Sequence, residues 1–406
     1  MNYNLLLELA TELGYRLAMS GAETFRIEES ILRILNSYGL KAEVFAIPNC
    51  LTVSMITGQG TPLTRMRRIG NHGNDLDAVE RYSNLSRKIC AEHPRPEEAM
   101  LWLHKMELCH YSVPARALGY FLGGFGFAFI FGGTWLDAIW AGICGLIVMG
   151  IDVMMDRFQA PLFFRTIISA FFAAIPSYLA YTFGLLHNPD AAIIGTLMIL
   201  VPGLLFTNAM RDIMYGDINS GLHRTVQVLL IAMSIALGTA GALQLVSILF
   251  GPPDAAPSAG HSILFLCFAT FTGCIGFAIL FNVHGFGACL CALGGVLAWL
   301  GYLAGLKYSG SLVVVNLAGG TVASIYAEVM ARIRKYPAIS YLVISIFPLI
   351  PGAGVYYTMC HAVRGEMSAL ADKGFETAAV AGAIALGILM ISTAFRMYSG
   401  YKAGKN

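Results

Sequence analysis

The sequence predicts an α-helical polytopic membrane protein: ten transmembrane helices arranged as two inverted five-helix repeats with Pro-Gly broken helices, plus a small N-terminal α+β cytosolic domain. Three observations lead there. Hydrophobic residues make up 57% of the 406 and charged residues only 12%, roughly half the usual globular share of charge, so most of the chain sits in lipid. The stretch Leu200-Val201-Pro202-Gly203 recurs as Leu349-Ile350-Pro351-Gly352, each inside a long apolar run, and register holds elsewhere. Pro202 to Pro351 is 149 positions, Gly216 to Gly365 is again 149, and the Phe125–Phe131 run meets Ile275–Phe281 at 150. Finally, residues 1–115 carry 12 of the 26 Lys and Arg and 13 of the 24 Asp and Glu, which marks that segment as a nearly neutral soluble domain without the basic patch that nucleic acid requires.

Within 1–115, Leu5, Leu6, Leu9, Leu13 and Leu17 make an amphipathic helix, and a second runs from Gly21-Ala-Glu-Thr-Phe to a C-capping Gly39. Leu5 to Leu9 is too short for a signal sequence and Glu8 and Glu12 interrupt it, so the domain is expected to stay in the cytosol. Ala42–Ile47, Leu51–Thr57 and Leu63–Ile69, separated by Pro48-Asn49 and Gly58-Gln59-Gly60, read as a three-stranded meander. Helices near 75–92 and 97–110 close the domain. Glu23, Arg26, Glu28 and Glu29 have no nucleophile–base partner in evidence and read as a solvated helix face. His104, Glu107 and His110 have helical spacing but do not make an HExxH signature; Trp102 and Tyr111 suggest an interfacial helix instead. The nine cysteines, without a CxxC pair, fit reduced thiols. No cofactor and no metal site is expected.

At about 20 apolar residues per crossing, spans fall near 116–133, 135–154, 163–184, 190–211, 222–248, 262–281, 286–305, 311–333, 339–361 and 375–396. With the N-domain inside, ten Lys or Arg fall on inside loops and the tail (Arg157, Arg165, Arg211, Arg224, Arg332, Arg334, Lys335, Arg396, Lys402, Lys405). Lys307, Arg364 and Lys373 fall outside, in keeping with the positive-inside rule. The first repeat is then 116–250, an external linker 251–261 follows, and the second repeat is 262–406. Five spans per half is odd, so the second copy enters from the opposite side. The loop from Arg211 to Arg224 is cytosolic and its counterpart from His361 to Glu376 external, which is the arrangement that underlies alternating access.

Proline removes a backbone donor and clashes with the preceding turn, so both Pro-Gly pairs break their helices near mid-bilayer. Broken backbone survives in hydrocarbon only where protein or a cavity satisfies it. The half-helices that follow present two N-termini, with unpaired N–H groups and partial positive charge, suited to a carboxylate. The expected substrate site is Pro202, Gly203, Thr207, Asn208, Pro351, Gly352, Tyr356 and Tyr357. Thr196, Ser345 and Thr358 lie near the breaks too, and each such hydroxyl taken singly favours helix packing. Arg211, Asp212 and His361 form a coupling or gating group. Asp212 reads either as a solvated partner of the adjacent Arg211 or as a gating or proton-linked carboxylate; His361 is its repeat-equivalent. Glu328 and Arg332 are an i, i+4 pair. Asp137 and Asp152 sit near span ends, where they reach water. Asn282, His284 and Asn316 favour packing or loop roles, and close glycines such as Gly123-Gly124 and Gly294-Gly295 allow tight helix approach.

The segments Gly21-Ala-Glu-Thr-Phe-Arg-Ile-Glu28, Phe45-Ala-Ile-Pro48 with Val53-Ser54, Arg65-Met-Arg-Arg68 and above all Val201-Pro-Gly-Leu-Leu-Phe-Thr-Asn-Ala-Met-Arg-Asp-Ile-Met-Tyr-Gly-Asp217 resemble the threonine/serine exporter family. Pro348-Leu-Ile-Pro-Gly352 with Arg364-Gly-Glu366 resembles its second module. The resemblance implies a multi-pass exporter of threonine and serine in the cytoplasmic (inner) membrane, both termini cytosolic, energised by the membrane gradient. Its partners are then a small-molecule substrate, protons and the lipid bilayer, with room for a homo-oligomer and none for nucleic acid. Related two-chain versions imply small dicarboxylates such as succinate as an alternative. A membrane-anchored hydrolase using the N-domain is the remaining alternative, but an anchored enzyme needs only one or two spans. Cys360-His361 replaces Arg211-Asp212 in the second copy, so a charge role at Asp212 is not duplicated.

Overall fold

The computed structural model describes residues 2–70, 73–251 and 258–403. Most of the expected linker, 252–257, and the tail 404–406 with Lys405 lie outside the described residues. The chain divides into two compact units. One contains Met1–His110 together with Leu204–Val226 and Phe281–Val283; the other contains Tyr111–Gly203, Gln227–Leu280 and His284–Asn406.

In the first unit, α1 (Tyr3–Met19) starts where the Asn2 side chain accepts from Leu5 N at 3.1 Å, and it buries Leu6, Leu9, Leu13 and Leu17 on one face. Helix α2 (Thr24–Ser37) buries Ile27, Ile31 and Ile34, and the chain turns out of it through Gly39, whose φ of +75° costs a glycine little. Strands β1 (Lys41–Ile47), β2 (Cys50–Ile56) and β3 (Pro62–Arg68) form an antiparallel sheet in the order β1-β2-β3. Ile47 pairs with Cys50 across the Pro48-Asn49 turn, and Ile56 pairs with Pro62. Alternation along β2 sends Leu51, Val53 and Met55 into the same core as the helix leucines. Helices α3 (Leu76–Glu92) and α4 (Pro96–His104) complete the layer. The strands fall within a residue of the meander expected from sequence; α4 stops at His104, six residues short of expectation.

The helices after α4 run as two sets of six with matching lengths. The first set is α5 (Val113–Ile130), α6 (Trp135–Arg157), α7 (Leu162–Thr182), α8 (Pro189–Leu197), α9 (Gly203–Tyr215) and α10 (Ile218–Phe250). The second is α11 (Ile263–Leu280), α12 (Phe286–Tyr308), α13 (Leu312–Arg334), α14 (Ala338–Ile346), α15 (Gly352–Val363) and α16 (Met367–Ala403). Helix starts recur at intervals of 149 to 151: Val113 to Ile263 is 150, Trp135 to Phe286 is 151 and Gly203 to Gly352 is 149. Left-handed backbone recurs in step, at Gly132 and Asn282, Gly184 and Lys335, and Gly216 and Gly365.

Among the described residues, eight helices are long and apolar enough to cross a membrane: α5, α6, α7, α10, α11, α12, α13 and α16. Ala338–Leu349 with Gly352–Ala362, bent by 41°, makes a ninth as a broken span. The tenth expected span, 190–211, is divided between the short helices α8 and α9 and does not qualify as one crossing; from Leu204 onward α9 belongs to the first unit. This is a multi-pass helical membrane protein.

Glycines let α5 and α11 approach closely in the second unit. A methyl on Gly126 of α5 would lie 2.4 Å from the Gly273 nitrogen of α11, and one on Gly276 would lie 2.4 Å from the Gly123 nitrogen. Only hydrogen fits between the two backbones, the packing role expected of these small residues. Of two span-end acids, one differs from expectation. Asp137 is fully buried: one oxygen closes a capping box with Thr134, and the other accepts from His187 N at 2.9 Å and Asn188 N at 3.2 Å. Asp152 accepts from Tyr120 at 2.8 Å and Arg165 Nε at 2.9 Å. Asp137 is closed off from water by these fixed donors, whereas Asp152 stays partly exposed, as its place near a span end suggests.

Candidate functional site

Both Pro-Gly pairs interrupt their helices. α8 ends at Leu197 and α9 starts at Gly203; α14 ends at Ile346, a 3₁₀ turn covers Phe347–Leu349, and α15 starts at Gly352. Within the second unit the two breaks pack on one another, reciprocally. A methyl on Gly203 would stand 2.8 Å from Phe347 Cζ and 3.1 Å from Ile350 Cδ1, while one on Gly352 would stand 2.8 Å from Met198 Sδ and 3.2 Å from Val201 Cγ2. Met198 and Phe347 are 149 positions apart, as are Val201 and Ile350. Each break therefore touches the partner residues that its own copy presents in return. Such exchange of contacts is the pattern a two-fold relation produces.

Tyr356, one turn past Gly352, is 1% exposed; its hydroxyl donates to Asp190 Oδ1 at 2.6 Å and lies 2.8 Å from the equally buried Tyr178 hydroxyl. Tyr357 packs edge-on against Tyr356 and is more open. Thr196 donates to Ala141 O at 3.1 Å and Ala192 O at 2.9 Å, Ser345 to Tyr341 O at 2.7 Å and Thr358 to Gly354 O at 2.7 Å, so these three serve helix backbones. His361, further along α15, has Nδ1 2.6 Å from Glu366 Oε2.

In the first unit the remaining candidates gather around the Gly21–Thr24 turn. Gly21 has φ +93°, and a methyl there would meet Gly73 O at 2.5 Å, so the turn requires glycine. Asn208 Nδ2 donates to Gly21 O at 2.9 Å. Asp212 accepts from Thr24 N at 3.1 Å and Thr24 Oγ1 at 3.0 Å, capping α2 from another helix where Glu23, the residue in N-cap position, makes no capping bond. Arg224 places Nε 3.0 Å from Asp212 Oδ2 and donates through Nη2 to Ala22 O at 3.4 Å. Arg211 places Nη1 2.8 Å from Glu23 Oε1, and Arg26 Nε donates to Glu23 Oε2 at 3.2 Å. Phe25 stacks on Tyr215 with centroids 4.4 Å apart. Thr207 is fully buried in the same unit.

Two expectations are corrected here. Glu23 is not on a solvated face: it is 1% exposed and faces Arg211. Asp212 is not the solvated partner of its neighbour Arg211; it is fully buried and pairs with Arg224. Adjacent residues on a helix point about 100° apart, so Arg211 and Asp212 address different partners. The two acids also differ in charge. Burial pushes the Glu23 carboxyl up, but Arg211, Arg26 and Arg224 outweigh it and hold the group below its ordinary value. Burial dominates at Asp212, against Arg224 and the two Thr24 hydrogen bonds, and with repulsion from Glu23 it raises the group to about 6. Neighbouring carboxylates driven apart in this way give one fixed charge and one that titrates near neutrality.

A family profile described as a putative threonine/serine exporter matches residues 8–246, and a second threonine/serine exporter profile matches 266–394. The chain belongs to the threonine/serine exporter family. It is 24% identical over 396 residues to a threonine/serine exporter of Corynebacterium glutamicum, covering 94% of this chain and 79% of that protein. It is 23% identical over 415 residues to a probable threonine/serine exporter of Mycobacterium tuberculosis, covering 95% and 75%. A probable succinate transporter subunit of Klebsiella aerogenes is 22% identical over 245 residues, covering 58% of this chain and 92% of that protein. No solved structure gives a significant match. The two profiles divide this exporter-family chain where the two sets of six helices meet.

Sequence reasoning missed Arg224, Thr24, Tyr178 and Asp190. Arg224 carried a usable signal, as a lone cation in the opening turns of a long apolar helix; Asp190, in the first turn of α8, is a position where an acid is ordinary.

Proposed function

We propose that the protein is a secondary active exporter of small amino acids, threonine and serine, across the cytoplasmic membrane, driven by the proton gradient through alternating access. It acts as a transporter and not as an enzyme. The first repeat, 116–250, and the second, 262–406, are inverted relative to one another, and both termini are cytosolic. The observation that carries the reading is the reciprocal packing of the two Pro-Gly breaks, each touching its counterpart through repeat-equivalent residues. Family membership supports the substrate class. Two equivalent broken helices meeting at a pseudo-two-fold axis allow two conformations of similar energy that face opposite sides. The apolar seam of Met198, Val201, Phe347 and Ile350 is the surface that parts to admit the substrate.

Similarity of the first half to a probable succinate transporter subunit favours one second reading, export of small dicarboxylates. Both substrate classes carry a carboxylate. Purified protein in liposomes loaded with a panel of amino acids and dicarboxylates separates them: threonine or serine counterflow is the expected result. Succinate counterflow without threonine or serine establishes the second reading, and no counterflow with any of them removes the exporter proposal.

A further inference from the structure

Asp190 is the one carboxylate tied to the residues around the Pro351-Gly352 break among the contacts seen in the second unit, and its surroundings are unusual for a first-turn acid. Such acids ordinarily face backbone N–H groups or water. Here Asn188 already caps α8, accepting from Ala191 N at 3.0 Å, and Asp190 Oδ1 instead takes the Tyr356 hydroxyl of α15 at 2.6 Å. A phenol carries a single proton. Because Tyr356 donates its own to Asp190, the Tyr178 hydroxyl 2.8 Å away must donate to Tyr356, and the chain runs Tyr178 to Tyr356 to Asp190. Both tyrosines are 1% exposed, whereas Asp190 is only partly covered and retains a route to water.

That polarity holds while Asp190 is ionised. Protonation removes the charge that strengthens the Tyr356–Asp190 hydrogen bond: a proton on Oδ1 obliges Tyr356 to accept or let go, and a proton on Oδ2 leaves Tyr356 donating to a weaker, neutral acceptor. The group that meets this change is Tyr356, five positions beyond Pro351, so the protonation state of Asp190 is felt on the half-helix that follows the second break. The groups facing Asp190 from other elements are Tyr178 on α7, Tyr356, Tyr357 and Cys360 on α15, and the Arg364 cation just beyond it. Asp137 of α6 holds the backbone just before it, at His187 and Asn188.

We propose that Asp190 is the carboxylate that binds and releases the coupling proton, with Tyr356 and Tyr178 as the positioning relay that links its charge state to α15. The assignment rests on the exporter reading above. Asp190 takes one proton from water on one side to give the neutral acid and returns it on the other after the repeats exchange; the phenols finish with the protons they began with.

Wild-type protein, Asp190→Asn, Asp190→Glu and Tyr356→Phe are compared in liposomes by two measurements: counterflow of threonine or serine without a gradient, and net flux driven by a pH gradient. Asp190→Asn is expected to lose gradient stimulation by about tenfold or more while substrate exchange persists, and Asp190→Glu to restore stimulation with an altered pH profile. Gradient-driven flux surviving in Asp190→Asn overturns the assignment. Loss of exchange and drive together in both Asp190 variants, with protein still inserted, also overturns it, since Asp190 would then be a substrate ligand. If neither variant inserts, Tyr356→Phe decides: it removes one hydrogen bond from the carboxylate, so the pH midpoint of driven flux should move upward by about one unit, and an unmoved midpoint refutes the proposal. Absence of counterflow in the wild type fails the exporter reading itself.

Discussion

Glu23→Gln removes one charge from a pair in which both side chains are almost wholly enclosed, Glu23 at 1% and Arg211 at 5% exposure with 2.8 Å between them. Taking away one member of a buried pair leaves the other charged without its counter-ion, at a cost of about 3–5 kcal/mol. Arg26 and Arg224 add to the excess positive charge, so the upper part of that range applies. The first unit should therefore lose more than about a hundredfold in its folded-to-unfolded ratio. Urea unfolding of the purified protein in detergent, followed by proteolysis within residues 1–110, reads this directly. Glu29→Gln is the internal standard. It breaks the Glu29–Arg33 pair, in which both side chains are about two-fifths exposed, and should cost less than about 1 kcal/mol. Glu23→Gln combined with Arg211→Met should recover much of the loss, because removing both partners leaves less uncompensated charge. If Glu23→Gln and Glu29→Gln are indistinguishable, or if the double variant is additive, the buried-pair argument is wrong and Glu23 behaves as the solvated residue that its sequence context suggests.

Three further outcomes are expected. Because burial raises Asp212 to about 6, above its ordinary value of 3.8, its share of first-unit stability is fully present at low pH and is lost as pH rises through about 6; Asp212→Asn should flatten the urea midpoint between pH 4 and 7, and an unchanged slope refutes the assignment. Gly126→Ala sets a methyl 2.4 Å from backbone in α11 and should destabilise the detergent-solubilised protein by about 1–3 kcal/mol, whereas Gly382→Ala, with nothing within 4 Å, should be neutral or slightly stabilising in thermal unfolding. In a background without accessible native thiols, cysteines at the exposed positions Asn219 and Ser368 should label from opposite sides of the membrane, the first from the cytosol; labelling of both from one side removes the inverted-repeat model.

The polytopic helical character, the 149-to-151-residue recurrence and the places where helices break were legible in the sequence. Those properties are local: apolar run length sets a crossing, proline removes its own donor wherever it stands, and a repeat keeps its register however the copies pack. The offset of 149 seen between Pro202 and Pro351 reappears in the contacts of Met198, Val201, Phe347 and Ile350 for that reason. The meander was legible from alternation around Pro48-Asn49, and the small residues of α5 and α11 from their spacing. What the tertiary structure decided was the partner of each polar group. Glu23 and Arg211 are 188 positions apart, and Tyr356 and Asp190 are 166 apart; nothing local distinguishes a helix-face glutamate from one enclosed against a distant arginine. The charge of Asp212 is decided in the same way. Its chemistry depends on how much water the fold removes and on which cation it leaves nearby, and both are set by elements far from it in the chain.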